Sequence, residues 1–119
     1  MDLNNLIKKA KKDRKVIAIA LYGSYAAQQE YRDIDVCLIL DKKYDNLEMS
    51  KKKLEYAQFD KKLDIRIFQQ LPIYIRHQIL KGKIIFCKNA ELLYKIAFGT
   101  IKEFEFFKKI QSSYLQKVR

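Results

Sequence analysis

Two apolar runs near the start of the chain constrain its fold more than any other feature. The first extends from Val16 to Leu21, and the second from Ile34 to Leu40, interrupted only by Asp35. Apolar runs of this length, bounded by turn residues, predict buried β-strands. Only about ten mostly polar residues join the two runs, and they contain no clear crossover helix, so the strands need not be parallel.

Two further strands and four helices are predicted from the remaining pattern. The segment KLDIRIF alternates strictly, which predicts a strand that carries Asp64 and Arg66 on one face, and KIIFCK predicts a short fourth strand. Helical spacing is found in residues 2 to about 14, in LEMSKKKLEYAQF and in LPIYIRHQILKG. A long helical pattern begins after Asn89, which is a candidate N-cap.

These elements predict an α+β fold, in which a mixed β-sheet of about four strands has helices packed on one face and a long C-terminal helix follows. A chain of 119 residues has the size of one domain. We therefore expect a single domain over residues 1–119, with its core at about 16–88 and the C-terminal helix at about 89–118.

The charge of the chain is strongly positive, with 25 Lys and Arg against 14 Asp and Glu, a formal net charge of +11. This balance favours an anionic partner such as a nucleotide, a nucleic acid or an acidic protein, although a solvated lysine-rich surface explains it equally well. The apolar fraction of 49% excludes global disorder. No apolar stretch is long enough to span a membrane, and the N-terminus is too polar for a signal peptide, so we expect a cytoplasmic protein.

Three aspartates on predicted strands are the candidate metal ligands and catalytic residues. Asp33 and Asp35 are two positions apart, which places both carboxylates on one face, and Asp64 lies within the third strand. Neighbouring carboxylates favour a cation between them, and Mg²⁺ is usually held by one or two carboxylates together with substrate phosphates. Three such groups could hold two metals for nucleotidyl transfer. The alternatives are surface aspartates at strand ends and an ion pair between Asp64 and Arg66.

A Gly-Ser pair, Gly23 and Ser24, directly follows the first strand. Glycine lets a backbone approach a phosphate closely, and serine supplies a hydroxyl group and an exposed N–H group. The pair is thus a candidate nucleotide-binding element that would hold the phosphate tail opposite the aspartates. An ordinary turn is the alternative interpretation.

Taken together, GSYAAQQEYRDIDVCLIL and the later LDIRIF resemble the minimal nucleotidyltransferase (MNT) family of the DNA polymerase β-like superfamily. The residues that match the family pattern are Gly23, Ser24, Ala26, Asp33, Asp35 and Asp64. The resemblance covers residues 16 to about 96. The chain departs from the pattern in three ways: Arg32 replaces the serine before the first aspartate, the AAQQEY stretch contains no glycine, and this segment is about two residues shorter than usual.

The resemblance implies a nucleotidyltransferase-like fold and transfer of a nucleoside monophosphate, usually AMP from ATP, to an acceptor hydroxyl with two Mg²⁺ ions. It implies that Asp33 and Asp35 bind both metals and that Asp64 completes the metal site nearer the acceptor. It assigns the β- and γ-phosphates to Gly23 and Ser24. Proteins of this kind are also antitoxins paired with HEPN-domain ribonucleases, onto which they transfer AMP, which implies a HEPN-domain partner for this chain.

Two other functional hypotheses remain open. The first is a catalytically weak or inactive relative that acts as a binding module or as an antitoxin by contact, and the altered loop motivates it. The second is a nucleic-acid binder, which the charge motivates, but it ranks last because no RNA-binding signature is found. The last helix carries Phe98 and Phe106 outside its main stripe, which predicts a protein interface for a partner or for a homo-oligomer.

Overall fold

A computed structural model describes residues 3–23 and 33–118 of the chain. The elements are, in order, α1 (Asn4–Lys12), β1 (Val16–Tyr22), β2 (Ile34–Leu40), α2 (Asn46–Ala57), β3 (Leu63–Ile67), a 3₁₀ turn (Phe68–Gln70), α3 (Ile73–Ile79), β4 (Lys83–Cys87) and α4 (Ala90–Val118). Each of the four strands and four helices predicted from the sequence is therefore found in the described part of the chain.

The four strands form one mixed sheet in the order β3-β2-β1-β4. Strand β1 pairs antiparallel with both β2 and β4, whereas β2 and β3 pair in parallel. A parallel pair needs a crossover connection, and α2 supplies it. The predicted mixed sheet and long C-terminal helix are confirmed.

Helices cover both faces of the sheet, not the one face that we expected from the sequence. Leu6 of α1 and Met49 of α2 belong to a core on one face, and Ile79 of α3 belongs to a second core on the other. Residues Leu92, Leu93 and Ile96 of α4 pack against this second core. Strands β1 and β2 are buried along nearly their whole length, so they need cover on both sides.

Local side-chain bonds fix where the helices begin. The Asp45 carboxylate accepts a hydrogen bond from the Glu48 amide at 2.8 Å, which caps α2. The Asn89 side chain accepts one from the Leu92 amide at 3.0 Å, which confirms Asn89 as the predicted cap of the long helix.

Across the described residues, no helix, α4 included, is both long enough and apolar enough for a membrane crossing.

A nearly buried ion pair ties the turn before β1 to α2. Asp13 accepts hydrogen bonds from the Lys52 ammonium at 2.8 Å, from the Tyr56 hydroxyl at 3.0 Å and from the Lys15 amide at 3.1 Å. Burial alone would raise the pKa of Asp13, but these three donors outweigh it and lower the pKa below its usual value of 3.8. The Asp13 carboxylate is therefore ionised and structural.

Candidate functional site

The parallel pairing of β2 and β3 brings two of the three predicted aspartates together. Asp35 and Asp64 are direct register partners in this ladder. Register partners in neighbouring strands point to the same face of a sheet, so the two carboxylates lie side by side. Asp33 is exposed and lies immediately before β2. Asp64, the third aspartate of the predicted site, thus lies beside Asp35, and the catalytic and metal-binding roles of all three stay predictions.

Electrostatic repulsion is built into this pair of carboxylates. The pKa of Asp35 is raised above its usual value of 3.8, chiefly by partial burial and next by the charge of Asp64. Asp33 raises it further, and the Arg66 guanidinium partly opposes the shift. Among the described residues, three carboxylates face the single nearby guanidinium of Arg66, an arrangement that favours a bound cation.

Gly23 is packed directly against the Asp35 carboxylate. Its φ angle is +74°, a left-handed conformation that side chains with a Cβ rarely adopt. A Cβ atom added at this position would lie 2.2 Å from Oδ2 of Asp35. Glycine is therefore strongly favoured here, and its backbone borders the Asp35 carboxylate; its predicted role in phosphate binding stays a prediction. Ser24, the other predicted nucleotide-binding residue, lies outside the described residues, as does Arg32.

Arg66 supplies a positive charge beside Asp64. It follows Asp64 by two positions on the same strand face, and its Nη2 atom lies 3.5 Å from Oδ2 of Asp64. Its side chain is 47% exposed, so this is a weak, solvent-screened ion pair. The ion pair that the sequence left as one alternative for Asp64 is therefore present. Its length and exposure leave the guanidinium free to contact an anionic ligand as well.

Tyr22 is a residue of this site that sequence reasoning missed. It is the register partner of Asp35 on β1, so its side chain shares the face of the carboxylates. The Tyr22 hydroxyl is buried and finds no hydrogen-bond partner in the described structure. Burial also raises the pKa of this hydroxyl, which is therefore protonated at neutral pH. Its position one residue before Gly-Ser was the available signal, but an unpaired hydroxyl cannot be read from a sequence.

Asp35 and Asp64 supply some, but not all, of the ligands that a magnesium ion needs. Among the described residues, no group of three acidic, histidine or cysteine side chains has the arrangement of a complete metal site. Asp35 and Asp64 do provide two adjacent hard oxygen donors whose negative charge Arg66 offsets only in part. Mg²⁺ commonly takes one or two carboxylates and completes its shell with water and substrate phosphates. The pair thus fits a Mg²⁺ that arrives with a nucleotide, and Asp33 is near enough to influence Asp35.

Comparison with known proteins gives a consistent result. The sequence model of the family described as "Polymerase beta, Nucleotidyltransferase" matches residues 4–91. A curated protein of Methanocaldococcus jannaschii, named "Putative protein adenylyltransferase MJ1547", is 40% identical over 81 residues, which are 66% of this chain. The chain spans 62% of the length of that relative.

Solved structures of toxin–antitoxin systems share the fold. One chain of a toxin–antitoxin crystal structure with AMP-PNP aligns with a TM-score of 0.76 at 20% identity, over 99% of this chain and 98% of that one. One chain of a tri-AMPylated Shewanella oneidensis HEPN toxin in complex with an MNT antitoxin aligns with a TM-score of 0.67 at 19% identity, over 96% and 93%. At these identities the likeness establishes the fold.

Proposed function

We propose, since this chain belongs to the polymerase beta nucleotidyltransferase family, that it transfers AMP from ATP to a hydroxyl group on a HEPN-domain partner protein. The observation that carries the proposal is the side-by-side placement of Asp35 and Asp64 against the backbone of Gly23. A carboxylate pair that the described residues neutralise only in part, beside a glycine with positive φ, suits a cation and a phosphate chain together.

Each residue has a defined role in the proposed reaction. The Gly23 backbone, with Ser24, binds the β- and γ-phosphates, and Asp33, Asp35 and Asp64 are the residues that would hold Mg²⁺. When bound, Mg²⁺ would neutralise the charge that develops on the phosphate oxygens. Asp64 lies at the outer side of the pair and accepts the proton of the acceptor hydroxyl. The hydroxyl oxygen then bonds to the α-phosphorus, the bond from that phosphorus to the β-phosphate bridging oxygen breaks, and pyrophosphate leaves.

The partner assignment depends on the fold neighbours and on the curated relative. Two of the solved structures that share its fold are described as toxin–antitoxin assemblies, one with AMP-PNP and one with an AMPylated HEPN toxin. The curated relative is named as a protein adenylyltransferase.

Titration of Mg²⁺–ATP into the purified protein tests the nucleotide site. We expect Asp35→Asn to weaken binding at least tenfold, because it removes one of the two paired charges. Glu105→Gln is the matched control: it removes one carboxylate from an exposed position on α4 and should leave binding unchanged. Equal affinities for the two variants would contradict the proposal. Transfer of radioactive AMP from α-labelled ATP to a co-expressed HEPN protein tests the reaction itself.

A second candidate function is neutralisation of a partner by contact, without transfer. The observation that favours it is the ion pair from Arg66, which already engages Asp64, together with a carboxylate set that falls short of a complete metal site in the described residues. The two functions differ in one measurement. A complex that forms with the partner and inhibits it equally well with Asp35→Asn would support contact, whereas loss of inhibition in that variant would support transfer.

A further inference from the structure

Helix α4 is anchored to the domain only along its first half. Leu92, Leu93 and Ile96 pack against the second core, and Thr100 is 4% exposed. The last described contacts with α3 are an ion pair between Arg76 and Glu103 and a stacked pair of rings, His77 and Phe104, whose centroids are 3.7 Å apart. The helix then continues to Val118. At 1.5 Å per residue, about 20 Å of helix follows these contacts.

The apolar stripe of α4 continues along this unsupported part. Phe107, Ile110 and Tyr114 follow Ile96 and Thr100 at helical spacing on the same side of the helix. Their exposure increases with distance from the domain, at 38%, 54% and 67%. The radius of gyration is 15.5 Å, whereas a compact chain of this length has about 13.5 Å, which agrees with a projecting element. The same stripe is thus core in its first half and bare in its second.

Positive charge borders this bare stripe. Lys109 lines a shallow cavity of about 320 Å³ together with Ile110, Ser113 and Tyr114. The Lys108 ammonium lies over the Phe104 ring, 5.6 Å from its centroid. Glu103, which could offset these charges, is already paired with Arg76. A second copy would bring the same lysines together in a chain that carries a net charge of +11, whereas an acidic surface would neutralise them.

We propose that Phe107, Ile110 and Tyr114 dock an amphipathic helix of a partner protein whose apolar stripe is flanked by acidic residues. Helix-in-groove recognition uses apolar anchors at this spacing, and opposite charges at the rim fix the register. The docking surface lies on α4, whereas Asp35 and Asp64 lie on the sheet. The inference therefore stands independently of nucleotide transfer.

Two synthetic helical peptides test this surface on the full-length protein. Both carry leucines at steps of three and four, but one has glutamates beside the stripe and the other has lysines. We expect the glutamate peptide to bind at least tenfold more tightly than the lysine peptide, and its affinity to fall with added salt. Ile110→Ser should weaken its binding at least tenfold. Tyr94→Ser, which removes a 73% exposed ring from another face of the same helix, should change binding less than twofold.

Three results would overturn the inference. Equal affinities for the two peptides would show that charge does not contribute to recognition. An Ile110→Ser variant that binds the glutamate peptide as tightly as the wild type would show that the apolar stripe does not contribute. Sedimentation of the protein alone provides the third: a dimer at micromolar concentration that Ile110→Ser dissociates would mean that a second copy covers the stripe. Circular dichroism of each variant confirms that α4 is still helical, so that loss of binding reports on the surface.

Discussion

Replacing Gly23 by alanine tests the central packing relation of the candidate site. The φ angle of +74° costs a residue with a Cβ about 1–2 kcal/mol. The new Cβ would also lie 2.2 Å from Oδ2 of Asp35, whereas ordinary contact begins at 3.4 Å, so the carboxylate must retreat by about 1.2 Å. Asp35 would then leave its position beside Asp64. We expect a modest loss of stability and a large loss of function.

The stability and binding effects can be measured separately. Thermal unfolding of Gly23→Ala should shift Tm downward by about 5–10 °C, at about 5 °C per kcal/mol for a chain of this size. Mg²⁺–ATP affinity should fall at least tenfold, because a displacement of about 1 Å is enough to disrupt a phosphate and cation site. A double-mutant cycle with Asp35→Ala isolates the clash, since that change removes the carboxylate atoms but leaves the φ cost in place.

The double-mutant cycle shows whether the Asp35 contact or the backbone angle accounts for the need for glycine at position 23. If the carboxylate contact matters, Gly23→Ala should destabilise the Asp35→Ala protein by at least 0.5 kcal/mol less than it destabilises the wild type. An identical cost in both backgrounds would mean that the backbone angle alone explains the need for glycine. Unchanged stability together with unchanged nucleotide affinity would refute both parts of the reasoning.

Three further predictions concern stability. Gly99→Ala should raise the free energy of unfolding by about 1 kcal/mol, because Gly99 lies inside α4 and an added Cβ would meet nothing within 4 Å. Gly82→Ala is the control and should lower the free energy of unfolding, since its Cβ would lie 2.3 Å from a backbone oxygen. Asp13→Asn should cost about 1–3 kcal/mol at pH 7. The pKa of Asp13 is lower in the folded protein than its usual value of 3.8. The stability that the wild type gains over Asp13→Asn should therefore be lost as the pH falls below 3.8 and through the folded-state pKa. Chemical denaturation at several pH values measures this loss. Tyr22→Phe should leave the free energy of unfolding equal or slightly higher, because the Tyr22 hydroxyl has no hydrogen-bond partner in the described structure. A decrease of more than about 1 kcal/mol would show that the hydroxyl forms a hydrogen bond.

The strands and their chemistry could be predicted because they depend on local patterns. Apolar runs identified β1 and β2, strict alternation identified β3, and the period of two placed Asp64 and Arg66 on one face. The approach of Asp64 to Asp35 was implied by the family resemblance, but no local pattern contains it, because register between strands that are distant in sequence depends on how the crossover helix packs.

The placement of helices on both faces was missed although a signal existed. Residues of β1 and β2 point alternately to the two sides, and nearly all of them are apolar, which is typical of a strand covered on both faces. The requirement for glycine at position 23 had a similar partial signal. A turn favours glycine, but the overlap with Asp35 is a tertiary contact that no local pattern contains.

The parallel pairing of β2 and β3 also has a consequence for the order of folding. Strands β1 and β2 are neighbours in the chain, whereas Asp35 and Asp64 meet only after the crossover through α2 has closed. Closure of a long loop is slow because its entropy is lost before the new contacts form. Repulsion between the two carboxylates adds to the barrier at that step. The residues proposed to hold the cation of the substrate are thus expected to slow the folding of the chain that carries them.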